Sequence, residues 1–259
     1  MFESLIVEKD GPVGRITLNS PEKLNSLSRQ RLQELIEAAR WFDQQPEIKA
    51  VIVQGQGRAF SAGADLSGFG GSSDLSPRDG ADLGRRMADA IEEMKAITIA
   101  AIQGWCVGGA LVLAAACDLR VATSDARFSI PEVDLGIPLA WGGIPRLVRE
   151  IGPALTKELV ITCRPFDAAE AKSAGFLNRI VEPDQLGAEA EALAQEVVKR
   201  PTNPVQVTKR HVNAVTAQMV GTMRAWSDAD GLLASFGDPE CEEARQAYLK
   251  KVGSKKGTE

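Results

Sequence analysis

The chain has 259 residues, 44% of them apolar and 25% charged, with a net charge of −5 and 24 glycines. That length holds one large α/β domain or a domain with a helical appendage, and the acidic balance argues against nucleic acid as a partner. The four cysteines (Cys106, Cys117, Cys163, Cys241) form no CxxC pair, which argues against structural zinc and for reduced thiols. No stretch approaches the roughly 18 apolar residues of a membrane span, and Met1-Phe2-Glu3-Ser4 does not read as a signal peptide. A cytoplasmic protein is expected.

In chain order, Leu5-Ile6-Val7 and Val13 to Leu18 flank Asp10-Gly11 and predict a hairpin. Ser28 is a helix N-cap, followed by Leu32, Leu35, Ile36 and Ala39 at helical spacing. The strand around Lys49 to Val53 leads into a first glycine turn, Arg58-Ala59-Phe60-Ser61-Ala62-Gly63-Ala64-Asp65-Leu66. Gly68 to Gly80, rich in Gly, Ser, Asp and Pro, predicts a mobile loop placed where a lid or a plain solvated connection would lie. Ala81 to Met94 predicts a helix, and Ile97 to Ile102 a strand entering a second turn, Gly104-Trp105-Cys106-Val107-Gly108-Gly109-Ala110. Val107 to Ala116 is apolar on every side and predicts a buried helix. Asp118 to Ala122 returns as a strand, and beyond Trp141 the pattern is helical apart from a short strand at Asn178 to Val181. Strands alternating with helices followed by helices alone predict α/β architecture with a packing or assembly surface at the C-terminal end. The expected division is a core over 1–200 and a helical region over 201–259.

The side chains of the first turn offer little chemistry. Ser61 has no partner base, since the one histidine, His211, lies in a helical stretch and no GxSxG elbow is present. Both read most simply as structural, Ser61 as a turn hydroxyl. Asp65 reads as a helix cap or turn brace. No His, Asp or Glu cluster has metal-ligand spacing, and neither GxxxxGK nor GxGxxG occurs. The turns offer backbone instead. The N–H groups of Ala62 and Gly109 are placed as a pair of donors for an oxyanion, with Gly108 and Gly109 allowing close approach to a ligand. Glu132, in Ile130-Pro131-Glu132, is the acid beside them.

Leu18-Asn19-Ser20-Pro21-Glu22-Lys23-Leu24-Asn25-Ser26-Leu27, the segment Gly57 to Leu66, and Gly108-Gly109-Ala110 with Ala116-Cys117-Asp118-Leu119-Arg120 carry a resemblance. Phe128 to Gly136 and Ala168-Ala169-Glu170-Ala171 with Gly175-Phe176-Leu177 extend it over nearly the whole chain. In these motifs the chain resembles the enoyl-CoA hydratase/isomerase family, the crotonase superfamily. The resemblance implies a spiral of repeated ββα units, a helical C-terminal region used in trimerisation, and homotrimers or dimers of trimers. It implies an acyl-CoA thioester as substrate in fatty-acid metabolism, no separate cofactor, and a carbonyl oxygen held by Ala62 and Gly109. It also places Ala62, Gly63, Ala64 and Asp65 along the acyl-CoA, and Lys23 near its nucleotide end; Leu66, Gly108, Val112, Pro131 and Trp141 complete the expected substrate-binding residues.

One departure bears on the reaction. Hydratases of this family hold the attacking water between two glutamates, of which one matches Glu132. The other matches Val112, which can neither orient water nor exchange a proton. A single glutamate suffices to move the double bond of 3-enoyl-CoA to 2-enoyl-CoA, and some isomerases of the family resemble this chain in pairing that glutamate with an apolar residue. Isomerisation is therefore the first expectation and hydration the alternative. Ala140 stands where dienoyl isomerases and aryl-CoA dehalogenases carry an aspartate, which argues against both. Asp134, Glu92 or Glu93 would replace the missing acid only if the fold turned one inward. The competing class is a non-catalytic acyl-CoA binder, against which Glu132 itself argues.

Overall fold

The computed structural model describes residues 2–66, 75–225 and 227–255. A six-stranded sheet runs in the order β1 (Leu5–Asp10), β2 (Val13–Leu18), β3 (Ala50–Gly55), β4 (Ile97–Ile102), β6 (Leu119–Thr123), β9 (Arg179–Val181). The hairpin β1–β2 is antiparallel and every later pairing in this sheet is parallel. A smaller sheet joins β5 (Trp105–Val107), β7 (Arg127–Ser129) and β8 (Phe166–Asp167).

Four successive turns of the chain repeat one path. A strand of the large sheet is followed by a short extended segment, and then by a helix. β2 leads through Leu27 to α1 (Arg29–Asp43), and β3 leads through Ser61 and Ala64 to α2 (Pro77–Glu92). β4 leads through β5 to α3 (Gly109–Ala116), and β6 through β7 to α4 (Gly143–Thr162). The extended segments stack in parallel as well: Leu27 bridges Ala64, Ser61 bridges Cys106, and β5 pairs with β7. This stacking is the spiral of ββα units that the resemblance implies.

Strand alternation explains why the large sheet is covered on both faces. Ile16, Leu18, Val51, Val53, Ala100 and Ile102 face the main core with α1 to α4. Val13, Ile52, Ile99, Ala101 and Val121 face α6 (Leu186–Val198) through Leu186, Ala190 and Ala194. α3 is buried along its whole length, as its uniformly apolar sequence predicts.

Some boundaries differ from expectation. Of the predicted loop over 68–80, residues 68–74 lie outside the described residues, and Pro77 to Gly80 form the first turn of α2 instead. Ser76 caps that helix, its side chain accepting the Asp79 N–H at 3.1 Å, and Pro77 suits the first helical position. Ser28 caps α1 as expected, accepting from the Arg31 N–H at 3.2 Å. α4 breaks its helical geometry at Gly152 (φ 76°), just before Pro153. After α5 (Ala168–Ser173) and α6 come α7 (Thr202–Met219), α8 (Asp228–Phe236) and α9 (Pro239–Lys255). α8 packs back on α2, with Arg78 and Asp230 paired at 2.9 Å. α9 reaches the loop after β7, where the backbone of Cys241 closes on Gly136. Among the described residues no helix is long and apolar enough to cross a membrane.

Candidate active site

The second, third and fourth turns of the spiral each supply one part of a small cavity. Ala64 comes from the second, Gly109 and Val112 from the third, and Glu132 from the loop after β7. Ile137 to Trp141 on that same loop, and Leu232 of α8, complete its lining among the described residues. The volume is about 30 Å³, room for about two groups the size of a water molecule.

Gly109 is the first residue of α3, so its N–H belongs to the helix end that has no internal partner. Gly108 precedes it at φ 52°, a left-handed conformation that leaves no room for a side chain. A Cβ there would strike the Glu132 carboxylate, so this glycine brings acid and helix start together. Gly63 (φ 84°) does the same between the second and third turns: its missing Cβ would lie 3.4 Å from the Gly109 nitrogen.

The Ala62 amide is not available to a ligand, because it donates to the Leu24 carbonyl at 2.8 Å. Ala64 lies in the cavity wall instead. Its orientation follows from its neighbours: Leu27 N–H donates to Gly63 O at 2.7 Å, and Asp65 N–H donates to Leu27 O at 3.1 Å. In an extended chain successive amides point to opposite sides, so the Ala64 N–H points away from Leu27. The sequence signal for this shift is slight, since it rests on the left-handed backbone of Leu24 and Asn25 (φ 50° and 53°) that carries the Leu24 carbonyl to Ala62.

Glu132 is 9% exposed, and its Oε2 makes no hydrogen bond among the described residues. Burial pushes its carboxyl up to about 7 from the usual 4.5. Arg146 is engaged elsewhere: it pairs with Asp89 at 2.9 Å and with Glu92. Nor does a second acid enter the cavity among the described residues. Asp134 and Glu93 are exposed, and Glu92 is held by Arg146 and by Arg149 at 2.6 Å. Val112 is fully buried and packs where a Cβ on Gly143 would lie 2.9 Å from its Cγ2.

The remaining candidates divide. Trp141 lies in the lining; Pro131 is buried beside Glu132, outside it. Lys23 is exposed at the end of a single 3₁₀ turn, Pro21–Lys23, one residue before the carbonyl that holds Ala62. Asp65 and Leu66 are half-buried beyond Ala64, and Asp65 acts electrostatically on the buried Arg31. Ser61 is a buried turn hydroxyl, donating to Asn25 O at 2.8 Å and accepting from the Gly63 N–H at 3.1 Å. His211 is exposed on α7.

A family model described as enoyl-CoA hydratase/isomerase matches residues 8–255. The chain is 32% identical over 252 residues to the crotonyl-CoA hydratase of Syntrophomonas wolfei, covering 96% of both. It is 38% identical over 214 residues, 82% of both, to a probable enoyl-CoA hydratase of Mycobacterium tuberculosis. The crystal structure of an enoyl-CoA hydratase/isomerase from Pseudoalteromonas atlantica superposes with a TM-score of 0.86 at 28% identity, over 96% of this chain and 98% of that one.

Proposed function

The chain belongs to the enoyl-CoA hydratase/isomerase family, and from that premise we propose that it shifts the double bond of a 3-enoyl-CoA to give the 2-enoyl isomer. The thioester oxygen sits between the N–H groups of Ala64 and Gly109. Glu132, as carboxylate, takes a proton from C2, and the electron pair moves through C1 onto the thioester oxygen. The two amides stabilise this dienolate, each such donor being worth about 2.7–4 kcal/mol. Glu132 then returns the proton to C4 as the C2–C3 double bond forms, so the carboxylate is regenerated. No cofactor is needed, because coenzyme A is part of the substrate and the proton is both taken and given back.

The observation that carries this reading is the pairing of one buried acid with an apolar Val112 across the cavity. A carboxyl with its midpoint at about 7 is close to half ionised at neutral pH, which suits a group that must accept and donate in one cycle. The second reading is hydration of 2-enoyl-CoA, favoured by the names of the relatives. It would leave Glu132 alone to orient the water.

The deciding experiment offers 2-enoyl-CoA and 3-enoyl-CoA to the protein and to Glu132→Gln. Isomerisation lost in the variant is the expected result. Fast hydration of crotonyl-CoA that survives Glu132→Gln would overturn the single-acid reading, and acyl-CoA binding without turnover would favour a binding protein.

Assembly as a homotrimer or a dimer of trimers is part of the same reading. Its support is α7, where Val212 (57% exposed), Val215 (49%) and Met219 (77%) share one helix face. That helix also borders a groove of about 650 Å³, lined by Cys117, Leu119, Val197, Pro204 and Val205. Apolar surface of this kind marks association sites.

A further inference from the structure

Among the described residues, Trp141 is the largest side chain on the cavity wall. Its backbone is left-handed (φ 62°), which is uncommon for any residue with a Cβ and most unusual for a bulky one. Two glycines make space for its indole. Gly84 on α2 and Gly109 on α3 both lie so close to the ring that a Cβ on either would run into it, at 2.8 Å from Cε3 in the case of Gly109. The turn bearing the ring is fixed from both sides. Arg146, fully buried, donates to the carbonyls of Trp141 at 3.4 Å and Gly142 at 3.3 Å, while Asp228 of α8 accepts from the Gly142 N–H at 2.8 Å. A side chain so held is part of the wall, and it faces the amide that receives the thioester oxygen.

We propose that Trp141 determines acyl specificity: its indole, seated in the slot formed by Gly84 and Gly109, closes the pocket and confines the protein to short acyl chains. This rests on the acyl-CoA reading above. With about 30 Å³ free, each methylene that does not fit costs about 10-fold or more in kcat/KM.

The test compares kcat/KM for 3-enoyl-CoA substrates from hexenoyl to dodecenoyl, alongside calorimetric affinities for saturated acyl-CoAs from butanoyl to decanoyl. Wild type is expected to decline by about 10-fold or more along the series, with Trp141→Ala flattening or inverting the decline. Gly84→Ala, whose new methyl must push the indole toward the cavity, shifts the preference to shorter chains. Should Trp141→Ala fail to fold by circular dichroism, Trp141→Phe is expected to shift the profile part of the way. An unchanged profile in the Trp141 variants would overturn the inference. Affinities keep the two readings apart: a length cut-off in binding that Trp141→Ala removes supports Trp141 as the wall even where no enoyl-CoA turns over, and that absence of turnover counts against the proposed reaction only.

Discussion

At the scale of single residues, Glu132 carries two opposed consequences of its burial. As the base it must be ionised, so kcat/KM for isomerisation is expected to rise with pH and level off above about 7. Glu132→Gln is expected to lower kcat by about 10²- to 10⁴-fold and to remove that pH dependence. The same burial weakens the fold. Between 4.5 and about 7 the folded chain keeps a proton that the unfolded chain has released, so stability falls as pH rises through this window and the full cost stands above it. Glu132→Gln is therefore expected to be more stable than wild type at pH 8 by up to about 3 kcal/mol, and to show no such gain at pH 4. Urea melts at the two pH values check the sign. Val112→Glu tests the other half of the pair. It puts a larger, charged group into a fully buried position and is expected to cost at least about 2 kcal/mol. If it folds, product analysis is expected to show more hydration relative to isomerisation. Glu132 and Val112 were both legible because identity alone says whether a side chain can exchange a proton. Ala64 was not: choosing between Ala62 and Ala64 depends on the hydrogen bond from Ala62 to Leu24, a carbonyl nearly forty positions earlier in the chain.

Among elements, those with long periodic patterns were readable, and of the three-residue strands only β9 was. α1, α3 and the strands β2 to β4 follow from apolar spacing and caps. β5 and β7 are too short to show alternation, and exist because the stacked turns offer them partners, Trp105 to Val107 lying beside Arg127 to Ser129. α2 begins at Pro77, earlier than its apolar pattern, because Ser76 and Pro77 provide a cap and a first turn in polar sequence. The contact of α2 with α4 was invisible as well. Arg146 reads as one more charged helix residue, yet it is fully buried and joins Asp89 and Glu92 to the turn at Trp141. Arg146→Met removes the cation and leaves two carboxylates facing a neutral side chain. Breaking a buried pair costs about 3–5 kcal/mol. The lower end is expected here, since Asp89 keeps 27% exposure and Glu92 retains Arg149. Denaturant unfolding measures that loss, and the acyl-length profile is expected to broaden with it.

For the whole molecule, the resemblance led correctly to a spiral, and a C-terminal helical region is present. That region has two destinations, however. α7 turns an apolar face outward, while α8 and α9 fold back over the chain's own site through Asp230, Asp228 and Cys241. Assembly is therefore expected to depend on α7. Val212→Glu is expected to convert a trimer of the 27.7 kDa chain into monomers by light scattering, with α8 still docked. The docking of α8 also bears on synthesis. Chains fold from the N-terminal side as they leave the ribosome, so the donors, the acid and the indole are all made before Asp228 and Leu232 arrive. A nascent chain stalled near residue 225 thus carries Ala64, Gly109, Glu132 and Trp141 behind an unfinished wall. Its apolar lining, covered in the complete protein, is for that interval open to chaperones and to proteases.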